Sequence, residues 1–337
     1  MPELAEIYRV VHFIRLHLVG KTLTKVSTQH DDIVYGKVGT SAAEFQKAMQ
    51  GKTIVGAGQQ GKYFWITMSS PPHVVMHFGM AGWLKIRDAD TYYYRTEKPE
   101  DKQWPPKYWK FLLETDGDPK TEAAFVDFRR LGRIRLVDCP AEEIRNHSPL
   151  KENGPDPVVD EDLVTEKWLG DKLKSRKKPI KALLLDQENI SGIGNWMGDE
   201  ILYHAKIHPE QYSNTLTGDQ IKQLHSSIHY VCSTSVDLLA DSDKFPEAGC
   251  SSTDGKKTGP VAGDVDEDES SGEREVKRKR TSRKKEDTAP KAKKEELKLK
   301  KTESKPQSKP PIKSEDKDEK IKTEGVPTRR RSTRLGK

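Results

Sequence analysis

The sequence predicts an α+β protein in three parts: an N-terminal helix packed on a β-sandwich, then a helical domain, then a disordered basic tail. Short runs rich in β-branched and aromatic residues fill the chain up to about residue 139, and helical patterns replace them from Pro140 onward. All Phe, Trp and Tyr residues lie within the first 245 positions, so residues 251–337 lack the large apolar side chains that a core requires. We therefore expect a β-sandwich domain at 1–139, a helical domain at 140–245 and a tail at 246–337.

The first predicted element is a helix, because apolar residues recur there at three- and four-residue steps and form one stripe. These residues are Leu4, Ile7, Val11, Ile14 and Leu18. We expect Pro2 in the first turn, where a missing backbone amide costs nothing, and Gly20 at the end of the helix.

Eight short β-type runs follow, separated by Gly, Pro, Asp and Ser. The expected strands are 21–28, 53–58, 63–68, 74–78, 83–86, 108–114, 123–127 and 133–137. So many short strands favour a sandwich or a barrel, with the N-terminal helix packed against it.

Beyond Pro140 the pattern is helical, with candidate helices at 162–173, 180–186, 196–204 and 218–239. The wide turn at 187–195 contains Gly192-Ile193-Gly194-Asn195. Such a turn places free backbone amides at the start of the next helix, which suits a phosphate, although the same pattern also occurs as an ordinary tight turn.

The charge is unevenly distributed along the chain. Residues 251–337 carry 27 Lys and Arg against 18 Asp and Glu, a net charge of +9, so the overall +6 leaves −3 for the remainder. Within the tail, the runs 277–280 and 283–285 predict a nuclear import signal, and 329–331 is a second basic cluster. The alternative is a solvated tail with incidental basic runs. In either case the tail attracts phosphates without sequence preference.

The remaining composition narrows the protein class. Cys139, Cys232 and Cys250 are widely spaced, which excludes a cysteine zinc site and indicates a reducing compartment. Charged residues interrupt the first helix, so it is not a signal peptide, and no apolar run approaches the roughly 18 residues of a membrane span. We expect a soluble intracellular protein with no membrane partner.

Four segments in order resemble the formamidopyrimidine-DNA glycosylase (Fpg/Nei) family, and more closely its plant and fungal branch. They are 2–6 (PELAE), 77–82 (HFGMAG), 127–132 (DFRRLG) and 192–195 (GIGN), within a match over roughly 1–245. The resemblance implies a base-excision repair glycosylase with AP-lyase activity that removes oxidised purines and has a helix–two-turn–helix DNA-binding domain. It also implies a monomer that acts on damaged double-stranded DNA without a cofactor. From the basic tail we expect import into the nucleus by the import machinery.

The catalytic residues that we expect are Pro2, Glu3 and Lys62. Removal of Met1 leaves the secondary amine of Pro2 as the N-terminus; its pKa lies well below that of lysine, and the helix start disfavours its protonation further. This amine is a suitable nucleophile for the sugar C1′, and Glu3 beside it is suited to proton transfer. Without the other motifs, Pro2-Glu3 is an ordinary helix start and Lys62 an edge-strand lysine; the resemblance places Lys62 in the active site.

The resemblance also assigns DNA-contacting residues. Met80, Arg129 and Leu131 correspond to residues that wedge into the duplex where the damaged base is everted, and flipping a base costs a few kcal/mol of stacking that such groups partly recover. Leu131 replaces the Phe common in bacterial members and stacks less well, and Met80 and Leu131 would otherwise be expected in the core. The other predicted contacts are Glu6, His77, Arg130, Arg176, Lys181 and Asn195, of which the basic 176–181 face is equally compatible with simple solvation.

One element of the family is not predicted by the sequence. Members carry, after the helical domain, a two-stranded finger with an arginine that grips the DNA, whereas residues 244–252 show no alternating hairpin pattern before the tail. The expectation is therefore a member with no finger and no zinc. The alternative function is a non-catalytic or weakly active nuclear DNA-binding paralogue or splice form.

Overall fold

The computed structural model describes residues 2–89, 91 and 103–246. Within them, a helix opens the chain, eight strands follow with one short helix between the first two, and four helices complete the structure. In chain order the elements are α1 (Leu4–His17), β1 (Leu23–Thr28), α2 (Ala42–Met49), β2 (Ile54–Gln60), β3 (Tyr63–Met68), β4 (His73–His77), β5 (Trp83–Ile86), β6 (Trp109–Thr115), β7 (Glu122–Val126), β8 (Arg133–Val137), α3 (Glu166–Lys174), α4 (Ile180–Leu184), α5 (Asn195–Ala205) and α6 (Gly218–Asp237).

The strands form two four-stranded antiparallel sheets, with orders β1-β6-β7-β5 and β2-β3-β4-β8. The sheets enclose one hydrophobic core that includes Phe64, Phe78, Phe111 and Phe125, all of them buried. Neighbouring rings lie 4.7–5.6 Å apart, a spacing that favours tilted aromatic packing. The sandwich expectation is confirmed, and the barrel alternative is not what the chain forms.

The helices enclose a second core, to which α3, α4, α5 and α6 all contribute. Helix α1 joins the two cores: Leu4 and Ala5 pack in the helical core, whereas Ile7, Val11 and Ile14 pack in the sandwich core. The first turn of α1 is therefore held at the boundary between the sandwich and the helices. This position places the N-terminal residues between both halves of the structure.

Most predicted elements match the structure within a few residues. One helix was not predicted: α2 begins at a capping box in which the Ser41 hydroxyl accepts from the Glu44 amide at 3.1 Å and the Glu44 carboxylate accepts from the Ser41 amide at 2.8 Å. Pro2 is also displaced from the predicted position. Glu3 is the N-cap of α1, so Pro2 precedes the cap and lies outside the first turn.

The remaining expectations about chain organisation are not decided by the structure. Residues 247–337, which include almost all of the predicted tail and the region in which the family's finger would follow, lie outside the described residues. The boundary at 139/140 stays a prediction. Among the described helices, none is both long and apolar enough to cross a bilayer.

Candidate active site

Three segments that are distant in sequence meet at the start of α1. The Leu4 amide donates to the Gly192 carbonyl at 3.1 Å, which fixes the N-terminus to the loop before α5. A Cβ at Gly192 would lie 3.2 Å from the Gly61 Cα and 2.7 Å from the Leu4 side chain. Since Gly61 forms the β2–β3 turn with φ +57°, the N-terminus, this turn and the 192–194 loop are in direct contact.

The carboxylate of Glu3 receives the backbone amides at the start of α5. Oε2 accepts from Gly194 at 2.8 Å and from Met197 at 3.2 Å, and Oε1 accepts from Trp196 at 3.2 Å. These amides have no partner within the helix, and the positive end of the helix dipole favours a carboxylate. Glu3 therefore caps two helices: its backbone begins α1, and its side chain closes the start of α5.

Glu3 is buried, with 3% of its surface exposed. Burial is the largest influence and raises the pKa of Glu3; the neighbouring Glu6 carboxylate raises it further, while Lys62 and the amides of Met197 and Trp196 lower it. The resulting pKa is about 7. Near neutral pH the side chain thus populates both the acid and the base form, as proton transfer in both directions requires.

Glu6 and Pro2 flank this carboxylate. Glu6 is buried, its Oε2 accepts from the Glu3 amide at 3.0 Å, and its Oε1 accepts from the Trp196 indole at 3.3 Å. Burial raises the pKa of Glu6 despite these hydrogen bonds. Pro2 is also buried, immediately before the N-cap.

Lys62 lies at the same junction, next to Gly61 and with 6% of its surface exposed. Burial lowers the pKa of Lys62, whereas the charges of Glu3 and Glu6 raise it. A buried lysine beside two buried carboxyl groups is a typical environment for a residue that moves protons. The structure thus brings Glu3, Glu6 and Lys62 together directly after Pro2 in the chain, and the catalytic roles of Pro2, Glu3 and Lys62 stay predictions.

Two residues that sequence reasoning missed hold this junction in shape. The Gln187 side chain spans the 187–193 loop: its amide donates to the carbonyls of Leu185 and Ile193, and its oxygen accepts from the Gly192 amide, each at 2.9 Å. The buried Asp156 carboxylate accepts from the Gly61 amide at 2.8 Å. Both residues lie in loops, where no repeating pattern of apolar residues exists, so the sequence held no signal for either role.

His77 lies at the end of β4, half-buried, with its ring 4.8 Å from that of Tyr63. Its Nδ1 accepts from the Gly79 amide at 3.0 Å. Burial lowers the pKa of His77 to about 4, and the charges of Lys62, Arg133 and Arg135 act in the same direction. The ring is therefore neutral at physiological pH, with Nε2 left as its donor.

The three predicted wedge residues form an exposed cluster. Met80 is 50% exposed and Leu131 42% exposed, so neither belongs to the core. The Arg129 Nη1 lies 3.7 Å from the Met80 sulfur, and the Leu131 backbone lies against Gly79, where a Cβ would meet it at 2.5 Å. Exposed apolar groups joined to a cation at a loop tip are suited to enter a base stack.

Arg130 is held differently from its neighbours. Its backbone has φ +58°, and its guanidinium bonds both oxygens of Asp31 at 3.0–3.2 Å. Lys110 donates to the same carboxylate at 2.9 Å, and Asp31 is buried. The pKa of Asp31 lies well below its usual range because its bonds to Arg130 and Lys110 outweigh the raising effect of burial. Asp31 thus anchors the loop that carries Arg129 and Leu131.

Replacement of Asp31 by Asn should lower the free energy of unfolding at pH 7 by roughly 3 kcal/mol, because the buried Lys110 loses its counter-charge. The folded-state pKa is depressed, so the ion pair stabilises the protein above the ordinary value of 3.8 and less so as the pH falls below it. The difference between wild type and variant, measured by urea unfolding, should therefore shrink below that pH. Exposed Asp32→Asn is the matched control; equal stabilities of Asp31→Asn and wild type at pH 7 would contradict this account.

The other predicted DNA contacts lie on the helical half. Asn195 is exposed at the first position of α5, and Arg176 is exposed between α3 and α4. Lys181 forms an ion pair with Asp199 at 2.6 Å, so its ammonium already has a partner. Within the described residues, no group of three or more His, Cys, Asp or Glu side chains is arranged to hold a metal ion.

The chain is similar to known proteins over most of its described length. The family model "Formamidopyrimidine-DNA glycosylase N-terminal domain" matches residues 1–134, and "Formamidopyrimidine-DNA glycosylase H2TH domain" matches residues 154–246. The formamidopyrimidine-DNA glycosylase of Arabidopsis thaliana is 40% identical over 247 residues, which are 73% of this chain and 61% of that protein. The protein of the same name from Desulforamulus reducens is 32% identical over 244 residues, which are 70% of this chain and 78% of that protein.

Solved structures agree with this assignment. The Lactococcus lactis enzyme bound non-covalently to DNA that contains an AP site aligns with a TM-score of 0.58 and 26% identity, covering 70% of this chain and 82% of that one. The same enzyme in complex with DNA that contains FAPY-dG gives the same score, covering 70% of this chain and 80% of that one. With an N-terminal helix, a β-sandwich and a helix–two-turn–helix element that meet at Pro2 and Glu3, this chain belongs to the formamidopyrimidine-DNA glycosylase family.

Proposed function

We propose that this protein is a bifunctional DNA glycosylase and AP lyase that removes oxidised purines, such as 8-oxoguanine and formamidopyrimidines, from duplex DNA. The observation that carries the proposal is the junction at the N-terminus. The buried Pro2 directly precedes Glu3, whose buried carboxyl group has a pKa of about 7 and interacts with the buried Lys62. A secondary amine, a proton donor and acceptor, and a cation in one place are the groups that this reaction needs.

The Pro2 nitrogen attacks C1′ of the damaged nucleotide, the bond from C1′ to the base breaks, and the base leaves with a proton. The C1′–O4′ bond then opens, O4′ takes a proton, and a C1′=N⁺ iminium remains. Because proline is a secondary amine, this iminium cannot lose its charge by deprotonation at nitrogen. It therefore acidifies C2′, and loss of a C2′ proton expels the 3′ phosphate by β-elimination.

Glu3 supplies the proton transfers of this sequence. In its acid form it protonates O4′ as the ring opens, and in its carboxylate form it accepts a proton from the substrate. The Lys62 ammonium lies near both Glu3 and Glu6 and is suited to hold the phosphate beside the reacting sugar. The amides of Gly194, Trp196 and Met197 at the α5 start are taken by Glu3, so the exposed side chain of Asn195 offers the second phosphate contact.

The exposed wedge of Met80, Arg129 and Leu131 supports the choice of duplex DNA as substrate. Everting a nucleotide costs a few kcal/mol of stacking, and an apolar or planar group in the gap recovers part of that cost. The basic runs of the tail support a nuclear location through the import machinery, and the chain is proposed to act as a monomer without a cofactor.

The direct test uses three labelled duplexes that contain 8-oxoguanine, an abasic site or only normal bases. The purified chain should cut the abasic duplex to a β-elimination product and form a covalent adduct with it under borohydride. It should also release 8-oxoguanine, while the undamaged duplex stays intact. An enzyme that neither forms the adduct nor cuts the abasic duplex would contradict the proposal.

A single methyl group added at Gly194 should displace the Glu3 carboxylate and lower activity while the protein stays folded. A Cβ at Gly194 would lie 2.2 Å from the Glu3 Cδ, so Gly194→Ala must move this carboxylate away from the α5 start. The backbone there is extended (φ −120°, ψ −158°) and accepts alanine without strain. We expect base excision to fall by roughly a hundredfold, the lower end for a lost proton-transfer group. Loss of the α5 cap should lower the free energy of unfolding by only about 1 kcal/mol, so the chain stays folded.

Gly218→Ala is the matched control for this variant. Gly218 also stands at the start of a helix, α6, but nothing lies within 4 Å of its added Cβ. Its activity should equal that of the wild type. Full activity of Gly194→Ala would show that the position of the Glu3 carboxylate is not critical.

A further inference from the structure

We propose that Tyr108 and Phe128 form a stacking surface for the base that is left unpaired opposite the lesion. The inference rests on the proposed function, since it takes damaged duplex DNA as the ligand. It extends the DNA interface beyond the wedge residues Met80, Arg129 and Leu131 to two aromatic side chains that lie beside them.

The two rings are exposed and close to each other. Phe128 is 60% exposed and Tyr108 51% exposed, and their centroids are 6.3 Å apart with the planes inclined at 51°. A single exposed aromatic residue is common on protein surfaces. Here, however, two of them adjoin the exposed wedge and extend its apolar surface, which is typical of a binding site.

The backbone fixes both rings to one end of the sandwich. Tyr108 directly precedes β6 and Phe128 lies just beyond β7, and these strands pair with Trp109 opposite Val126. The Asp127 amide donates to the Tyr108 carbonyl at 3.2 Å, and the Asp127 carboxylate accepts from the Arg129 and Gly132 amides. The backbone that carries both rings is thus fixed before binding, which lowers the entropy lost when a ligand binds.

Charge at the rim favours a nucleic acid over an apolar protein partner. The Lys107 ammonium lies 5.0 Å from the Tyr108 ring centroid, and the Arg129 guanidinium carbon lies 6.0 Å from that of Phe128. Cations beside exposed aromatic faces suit a ligand that combines phosphates with flat bases. Bases that have lost their pairing partner fit this description.

The wedge itself lacks a stacking group at its third position. Leu131 is aliphatic, so it fills a gap but offers no flat face to a base. Phe128 stands three residues earlier in the same loop and provides such a face. We therefore assign to Phe128, with Tyr108 beside it, the contact with the base that loses its partner when the lesion is everted.

The test places 5-iodouracil opposite a tetrahydrofuran abasic analogue, since this base cross-links to stacked aromatic side chains on irradiation. With wild-type protein the cross-link should map by mass spectrometry to Phe128. Phe128→Leu should lose the cross-link and weaken binding to this duplex by about tenfold, the effect of one base–aromatic stack. Phe128→Trp should restore both, which a merely structural role would not explain.

Tyr203→Leu is the matched control. Tyr203 is about as exposed as Phe128 (58%) and also has a cation, the Lys206 ammonium, over its ring, but Tyr203 lies on α5 and not beside the wedge. It should bind and cross-link like the wild type. If wild-type protein traps abasic DNA with borohydride, yet the cross-link maps elsewhere and Phe128→Leu binds normally, the stacking surface is wrong while the proposed function stands. If wild-type protein fails to trap abasic DNA, the proposed function fails and the stacking surface with it.

Discussion

Replacement of Pro2 by glycine should reduce borohydride trapping on abasic-site DNA by roughly a hundredfold, because the nucleophile changes its chemistry. Glycine still presents an α-amine, but the imine that it forms loses its charge on deprotonation, so less of the cationic form that borohydride reduces is present. It also lacks the ring that holds the nitrogen next to the Glu3 cap. The measurement is the initial rate of covalent adduct formation, with mature N-termini verified by mass spectrometry.

Pro140→Gly is the matched control, since Pro140 is exposed and precedes a short 3-10 turn at Ala141–Asn146. It should trap abasic DNA like the wild type. Trapping by Pro2→Gly at the wild-type rate would exclude Pro2 as the covalent nucleophile. An adduct that maps to Lys62 in the wild-type protein would exclude it as well.

Replacement of Glu3 by glutamine should lower base excision by about 10²–10⁴-fold, the usual contribution of a positioned proton-transfer group. Glutamine keeps the shape and one carbonyl oxygen for the α5 amides, but it cannot exchange a proton. In the wild-type protein the pH–rate profile should show an inflection near the Glu3 pKa of about 7. The variant should lose this inflection together with the activity.

Although Glu3→Gln should lower activity, it should not lower the free energy of unfolding at high pH. Burial raises the folded-state pKa of Glu3 from 4.5 to about 7, so the fold favours the protonated form. Stability due to this group is therefore fully present below pH 4.5 and declines as the pH rises towards 7. Glu3→Gln should remove this decline, so urea unfolding at pH 8 should find the variant at least as stable as the wild type.

Normal activity of Glu3→Gln would contradict the role in proton transfer. A free energy of unfolding at pH 8 below that of the wild type would contradict the account of stability. The exposed Glu166 at the start of α3 offers a control, because Glu166→Gln also removes a carboxylate from the first turn of a helix. Its effects on both activity and the pH dependence of stability should be small, since an exposed group near a helix end contributes only about 0.3–1 kcal/mol.

Local pattern was sufficient for nearly all the secondary structure. Runs of β-branched and aromatic residues separated by Gly, Pro, Asp and Ser predicted the eight strands, because these residue types fit a pleated, largely buried surface whatever their distant partners are. The apolar stripe gave α1 for the equivalent reason in a helix. Helix α2 was missed because its eight residues are too few for the apolar stripe to stand out, although the capping box at Ser41 was legible.

The candidate site was predictable only in part. Pro2, Glu3 and Lys62 could be named from the sequence because short segments resemble a family, not because any spacing brings them together. Their meeting depends on contacts between distant segments, such as the Leu4 amide on the Gly192 carbonyl. The roles of Gln187 and Asp156 were invisible, because each acts on backbone groups whose positions only the folded chain defines.

By itself, then, the sequence determined the order and type of the elements, the nucleophile candidate and the family that they resemble. The tertiary structure decided what these groups do. It placed Glu3 at the start of α5 and removed it from water, which sets its pKa near neutrality. It also left Met80 and Leu131 exposed, although such side chains are more often found in the core, and it placed the exposed rings of Tyr108 and Phe128 beside them. Burial and electric field are properties of the whole fold, so neither can be read from a local pattern of residues.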